Sequence, residues 1–248
     1  MGREKLVIAN WKMNSSLDIV NEFLDKIRGC NFDEMKGKLV IAPSFPYLSM
    51  FSSILDSNIY LGAQDCSFLD SSIGNYTGDV SSSMLSEVGC GYVMVGHSER
   101  RLYHKENEEI LSAKLESVSS CGMIPILCIG ENKEEHDSGE LERVLDSQLA
   151  VLDGTNYGNI VIAYEPVWSI GSGLVPSLEH IKKINKFILE VVEQKLYLDR
   201  NVSLLYGGSV NVDNISKLMM IDSLDGVLVG GASLKFDELW KIAKQVIN

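Results

Sequence analysis

The sequence is short of the features that mark membrane, secreted and nucleic-acid-binding proteins. No apolar run approaches the ~20 residues needed to cross a bilayer. The opening Met1-Gly2-Arg3-Glu4-Lys5-Leu6 has no apolar signal region, and Leu6 spoils the pattern for N-terminal myristoylation. Positive charge is in deficit. With 22 basic and 34 acidic residues the net charge is −12, which argues against nucleic acid or an anionic membrane as the main partner. The five cysteines, Cys30, Cys66, Cys90, Cys121 and Cys128, are odd in number and form no Cys-x-x-Cys pair. They fit reduced thiols better than a disulfide frame or a zinc site. Without a secretion signal, the sequons Asn14-Ser15-Ser16 and Asn75-Tyr76-Thr77 are read as coincidences. A soluble, cytoplasmic protein is expected.

Nor does any linker, charge block or low-complexity tract divide the chain. Its 248 residues, 45% hydrophobic and 23% charged, suit one globular domain over 1–248 with ample core. Short runs rich in Val, Ile and Leu recur at 6–9, 39–42, 59–63, 92–95, 124–129, 160–164, 202–206 and 226–229. Their apolar character is nearly continuous rather than alternating, the mark of parallel strands buried on both faces. Amphipathic stretches at 17–27, 107–118, 141–152, 177–198 and 234–247 lie between them. Ser81, Ser138 and Ser177 are candidate N-caps. Eight strand-then-helix units in a chain of this length match a closed parallel (β/α)8 barrel. A doubly wound open sheet is the alternative. It usually carries Gly-x-Gly-x-x-Gly after its first strand, and Ala9-Asn10-Trp11-Lys12 is not that pattern.

The run Ile160-Val161-Ile162-Ala163-Tyr164 ends in a carboxylate, Glu165. Pro166 then fixes the chain direction, and Trp168-Ser169-Ile170-Gly171-Ser172-Gly173 follows as a flap with two glycines. A strand-borne acid beside a closable loop points to proton abstraction in a water-poor pocket; an ordinary Pro/Gly turn after a strand-end Glu is the plainer reading. Other strand ends are polar too. Asn10 and Lys12 follow the first strand, Gly96-His97-Ser98-Glu99-Arg100 the fourth and Gly130-Glu131 the fifth. Gly207-Gly208-Ser209 follows the seventh and Gly230-Gly231 the eighth. That edge is where such barrels build their sites.

Taken in order, Asn10-Trp11-Lys12-Met13-Asn14, Gly62-Ala63-Gln64-Asp65, Gly96-His97-Ser98-Glu99-Arg100-Arg101 and Cys128-Ile129-Gly130-Glu131 resemble motifs of the triosephosphate isomerase family. So do Ala163-Tyr164-Glu165-Pro166-Val167-Trp168, Tyr206-Gly207-Gly208-Ser209-Val210 and Asp225-Gly226 through Gly231-Ala232-Ser233-Leu234. The resemblance runs over nearly the whole chain and implies a single TIM barrel. It also implies an aldose–ketose isomerase of glycolysis and gluconeogenesis that interconverts dihydroxyacetone phosphate and glyceraldehyde 3-phosphate through an enediol(ate). By the same resemblance Glu165 is the base, strengthened as the lid excludes water. His97 is the neutral imidazole that hydrogen-bonds the substrate oxygens. Lys12 offsets phosphate and oxyanion charge, and Asn10 orients Lys12 and substrate. Gly171, Ser209, Gly230 and Gly231 supply the phosphate cradle, in a chain without a Walker motif. Glu99, Trp168, Ser172 and Tyr206 support these groups. No metal and no organic cofactor is implied, since proton transfer needs no redox carrier and the sequence shows no His/Asp/Glu cluster at metal spacing.

The resemblance also implies a homodimer, with Gly74-Asn75-Tyr76-Thr77-Gly78-Asp79 inserted beside the partner's active site. Asp79 stands where the family usually has Glu, which puts a salt bridge to Arg100 across the interface in doubt. At the flap's second hinge the family commonly reads Lys-Val/Thr-Ala, whereas this chain has Leu174-Val175-Pro176. Proline has no N–H, so a bond from that position to the hydroxyl of Tyr206 is lost. Two rival functions stay open on the residues alone: a Schiff-base aldolase using Lys12, and a catalytically silent scaffold.

Overall fold

The computed structural model describes residues 4–32, 35–52, 58–69, 74–154, 157–196 and 201–247. Met1, Gly2 and Arg3 of the opening hexapeptide, and the last two residues of the stretch predicted to be helical at 177–198, lie outside them. Eight parallel strands pair in chain order and close on themselves. They are β1 (Leu6–Asn10), β2 (Lys38–Ala42), β3 (Ile59–Ala63), β4 (Cys90–Val95), β5 (Ile124–Ile129), β6 (Asn159–Tyr164), β7 (Asn201–Tyr206) and β8 (Gly226–Val229). The seam joins first strand to last, with Leu6 opposite Gly226 and Ala9 opposite Val229. An open doubly wound sheet is therefore excluded.

Alternation along each strand sorts the apolar residues into two cores. Leu6, Ile8, Val40, Ala42, Met94, Ile126, Cys128, Val161, Ala163, Leu205 and Leu228 fill the barrel interior. Val7, Ala9, Leu39, Ile41, Val93, Leu127, Ile162 and Leu204 face outward onto the helices. This two-sided burial is why the strands read as unbroken apolar runs.

The helices are α1 (Leu17–Arg28), α2 (Leu48–Phe51), α3 (Ser82–Glu87), α4 (Ser98–His104) and α5 (Glu108–Ser120) in the first half. The second half has α6 (Lys133–Asp137), α7 (Leu141–Leu149), α8 (Leu178–Lys195), α9 (Ile215–Leu218) and α10 (Phe236–Ile247). Side-chain caps set several starts: Ser16 accepts the Ile19 N–H, Ser81 that of Met84, Asn107 that of Ile110 and Ser177 that of His180. Ser138 is not an N-cap. It closes α6 from the C-terminal side, and α7 begins behind Glu140 without a side-chain cap. The capping box of this region is Asn132 with Glu135, one helix earlier.

Directly after β1 the fully buried Trp11 packs edge-on against Phe23 of α1 and Phe51 of α2, at 4.6 and 5.6 Å between ring centroids. Each such pair adds about 0.5–1.5 kcal/mol beyond its buried area. This aromatic clamp fixes the backbone one residue before Lys12. Among the described residues no helix is long and apolar enough to cross a membrane.

Candidate active site

All eight residues expected to catalyse or to bind phosphate face one cavity of about 480 Å³ at the C-terminal ends of the strands: Asn10, Lys12, His97, Glu165, Gly171, Ser209, Gly230 and Gly231. That volume is ample for a small phosphorylated sugar.

Glu165 is 2% exposed, and its backbone N–H donates to the carbonyl of Ile129 at 2.7 Å, so β5 holds it at the tip of β6. Two glycines make room for it. A Cβ on Gly130 would lie 1.7 Å from the Glu165 carbonyl oxygen, and one on Gly207 would lie 2.8 Å from its Cγ. The carboxylate meets the backbone N–H of Ser98 at 3.4 Å and Nε2 of His97 at 3.3 Å.

His97 caps the N-terminus of α4. Its Nδ1 accepts the backbone N–H of Glu99 at 3.3 Å, so Nδ1 carries a lone pair and the ring proton sits on Nε2. The donor nitrogen thus points into the cavity beside Glu165.

Lys12 adopts φ 50°, a conformation costly for a side-chain-bearing residue. Three bonds hold it there. Its N–H donates to Asn10 Oδ1 at 3.0 Å, and its carbonyl accepts from Gln64 Nε2 at 2.8 Å and from Ser44 Oγ at 3.0 Å. Its ammonium pairs with Glu99 Oε1 at 2.6 Å, and its Cε passes over Gly230, 3.8 Å from where a Cβ would stand. Asn10 therefore orients Lys12, and Glu99 holds both Lys12 and the ring of His97.

The flap is folded against the loop after β7. Ser209 Oγ donates to the Ser169 carbonyl at 2.8 Å and accepts the Gly173 N–H at 3.3 Å. Ser169 lies at the centre of this contact. Its Oγ donates to the Leu174 carbonyl at 2.6 Å, accepts the Ser209 N–H at 3.4 Å and meets Tyr206 Oη at 3.3 Å. Ser172 turns back on the flap, donating to the Ser169 carbonyl at 3.0 Å and accepting the Leu174 N–H at 3.1 Å. The partners of Ser209 Oγ are Ser169 and Gly173 rather than Ser172.

The chain matches the family model described as triosephosphate isomerase over residues 5–246. The chain belongs to the triosephosphate isomerase family. It is 40% identical to the triosephosphate isomerase of Cupriavidus pinatubonensis over 97% of this chain and 98% of the relative. It is 37% identical to that of Francisella tularensis subsp. mediasiatica, over 98% and 97%, and 38% identical to that of Alcanivorax borkumensis, over 98% and 99%. It is accordingly an isomerase, and its reaction is the interconversion of dihydroxyacetone phosphate and glyceraldehyde 3-phosphate in glycolysis.

Within this isomerase fold, three groups near the site carried little signal in the sequence. Glu131 is fully buried and accepts Trp168 Nε1 at 2.8 Å and Tyr164 Oη at 3.2 Å, so it anchors the flap's first hinge. Cys128 lies fully buried beside Glu165. Burial first, and then the charge of Glu165, pushes its thiol well above the ordinary range, so it stays neutral. Arg101 reaches back from α4 to the carbonyls of Gly96 and Cys128 at 2.9 and 3.3 Å. The polar step Gly130-Glu131 after β5 was the one visible clue. Glu131, His136 and His180 also come together behind the hinge, although no metal-like spacing links them in the sequence.

Proposed function

We propose that Glu165 is the base that carries a proton between the two substrate carbons, with His97 as the electrophile and Lys12 as the counter-charge. The 3.3 Å approach of His97 Nε2 to Glu165 carries this reading. Of the carboxylates that line the cavity among the described residues, Glu165 is the buried one, and the imidazole donor stands beside it. A carbonyl oxygen hydrogen-bonded to Nε2 polarises the adjacent C–H bond. Glu165 takes the proton, an enediol(ate) forms, and return of the proton to the neighbouring carbon completes the isomerisation. Lys12 leaves Glu99 for the phosphate and the developing oxyanion. Backbone N–H groups of Gly171, Ser209, Gly230 and Gly231 hold the phosphate, and Asn10 keeps Lys12 in place. No organic cofactor enters the step.

The test is the reaction in deuterium oxide. Proton shuttling by Glu165 incorporates solvent deuterium at the carbon that receives the proton. Parent-level turnover and deuterium incorporation in Glu165→Gln would overturn the assignment. Borohydride added with substrate separates the aldolase alternative, since a reduced adduct on Lys12 forms only through a Schiff base.

The whole chain, 1–248, acts as one domain, in the cytoplasm and as a homodimer. Exposed apolar side chains support the dimer: Met13 is 95% exposed, and Tyr76, Leu102 and Tyr103 are also exposed. The loop from Gly74 to Asp79 stands free in solvent, and Phe45, Phe68, Gly78 and Asp79 share a neighbouring cleft. Arg100 needs no carboxylate from a partner, because it pairs within its own chain with Asp65 at 2.9 Å and Glu106 at 2.6 Å. Light scattering that finds an active monomer at micromolar concentration would refute the dimer.

A further inference from the structure

The chain has four histidines. His97 serves the active site, and two of the others, His136 and His180, converge on one buried carboxylate, that of Glu131. One ligand-capable atom from each of the three lies within 4.8 Å of the other two. They arrive on separate elements: Glu131 follows β5, His136 belongs to α6 and His180 to the first turn of α8. Helix caps fix the backbone that carries both imidazoles. The Asn132–Glu135 box sets the start of α6, and Ser177 Oγ accepts the backbone N–H of His180 at 3.2 Å. His136 Nδ1 stands 3.4 Å from Glu131 Oε1, and the two imidazole rings meet edge-on at 5.6 Å. His180 Nε2 is buried and has no hydrogen-bond partner among the described residues. A buried polar atom without a partner is costly and calls for an explanation.

We propose that Glu131, His136 and His180 form a binding site for a divalent transition-metal ion of the zinc class. Two imidazole nitrogens and one carboxylate oxygen suit Zn²⁺, whereas Mg²⁺ and Ca²⁺ take oxygen ligands. A tetrahedral ion with bonds of about 2.0–2.1 Å sets its ligand atoms roughly 3.3 Å apart, so modest side-chain rotations close the present spacing. The fourth position is left for water. Occupancy bears on the flap, because Glu131 Oε1 is also the acceptor for Trp168 Nε1 at 2.8 Å, and the Trp168 ring lies 4.6 Å from that of His136. A metal ion here ties the first hinge to α6 and α8 and slows the motion that turnover requires. The metal site itself does not depend on the catalytic roles assigned above.

The test uses the full chain, stripped with chelator and titrated with zinc chloride by calorimetry, beside His180→Gln and His136→Gln. One Zn²⁺ per chain is expected at micromolar or tighter affinity, weakened at least tenfold by either substitution. Zinc should lower kcat in the parent and spare His180→Gln, whose metal-free activity equals the parent's and reports an intact fold. Cobalt should bind without thiolate charge-transfer absorption. Absent binding, or binding that neither substitution weakens, overturns the site. Binding that His180→Gln abolishes while kcat in the parent stays unchanged under zinc overturns the link to the flap.

Discussion

Ser169 Oγ and the carbonyl oxygen of Leu174 are 2.6 Å apart, a bond that joins the two arms of the flap directly. The same hydroxyl faces Tyr206 and the Ser209 N–H. Because Pro176 has no N–H to offer, this serine takes over the joining of flap and barrel.

Ser169→Ala should therefore damage turnover more than Tyr206→Phe. The alanine removes the bond to Leu174, the contact with Tyr206 and the acceptor for Ser209. At about 0.5–1.5 kcal/mol per hydrogen bond, a loss of roughly tenfold or more in kcat/KM is expected. Tyr206→Phe alone should cost less than tenfold, and more in a Pro176→Ala background, where the restored N–H gives the tyrosine a second role. Steady-state kinetics of the four-member cycle decide this. A Tyr206→Phe defect of a hundredfold without coupling to residue 176 would contradict it.

Glu165→Asp shortens the proposed base by one methylene. A displacement of about 1 Å from the substrate carbon can cost ~10²-fold in kcat. Ground-state binding, assigned above to the proposed phosphate cradle, should survive, so KM should stay within a few-fold. A mutant with near-normal kcat would remove Glu165 from the mechanism.

Lys114→Met should be a stability mutant rather than a kinetic one. The ammonium of Lys114 is buried, 2.6 Å from Asp65 and 2.7 Å from Glu106. Removing it leaves two buried carboxylates with Arg100 as their remaining cation, and breaking such a group costs about 3–5 kcal/mol. Chemical denaturation should show the loss, with kcat of the folded fraction unchanged. A shift under 1 kcal/mol would mean that Arg100 alone satisfies both acids.

Glu106 also gives a pH prediction. Burial works against its charge, but the hydrogen bonds and charges of Lys114 and Arg100 outweigh it and hold the carboxyl below its ordinary value of 4.5. A folded-state value below the unfolded one adds stability above the unfolded value, and that stability is lost as pH falls through the folded one. Relative to Glu106→Gln, the parent should be more stable at neutral pH, with the advantage shrinking below pH 4.5. Asp65 shifts the other way. Burial raises its carboxyl above the ordinary 3.8 despite Lys114. Denaturation midpoints measured against pH check this, and an advantage that grows on acidification would reverse the sign.

The strands were readable because burial on both faces leaves almost nothing polar inside them, as in Val7-Ile8-Ala9 or Ile126-Leu127-Cys128. Strand ends were readable because Asn10, His97 and Glu165 interrupt apolar runs. Helix starts were readable where a serine or asparagine caps them, and misread at Ser138, where three residues separate the end of one short helix from the start of the next. What stayed hidden depends on contacts across the barrel. Nothing local distinguishes the Ser169 of the flap from a spacer, and its role exists only once β7 brings Tyr206 and Ser209 beneath it. Glu131 and His180 are invisible as neighbours for the same reason: α8 must first wrap back over the end of β5.

The seam between β1 and β8 has a consequence for biosynthesis. Lys12 leaves the ribosome long before Gly230, over which its stem lies. Until β8 docks beside β1, Gly230 is missing from beside the Lys12 stem, and both strands flanking the gap have unpaired edges. A chain stalled before the eighth strand should therefore be inert rather than weakly active, with open β-edges exposed to aggregation or to chaperones.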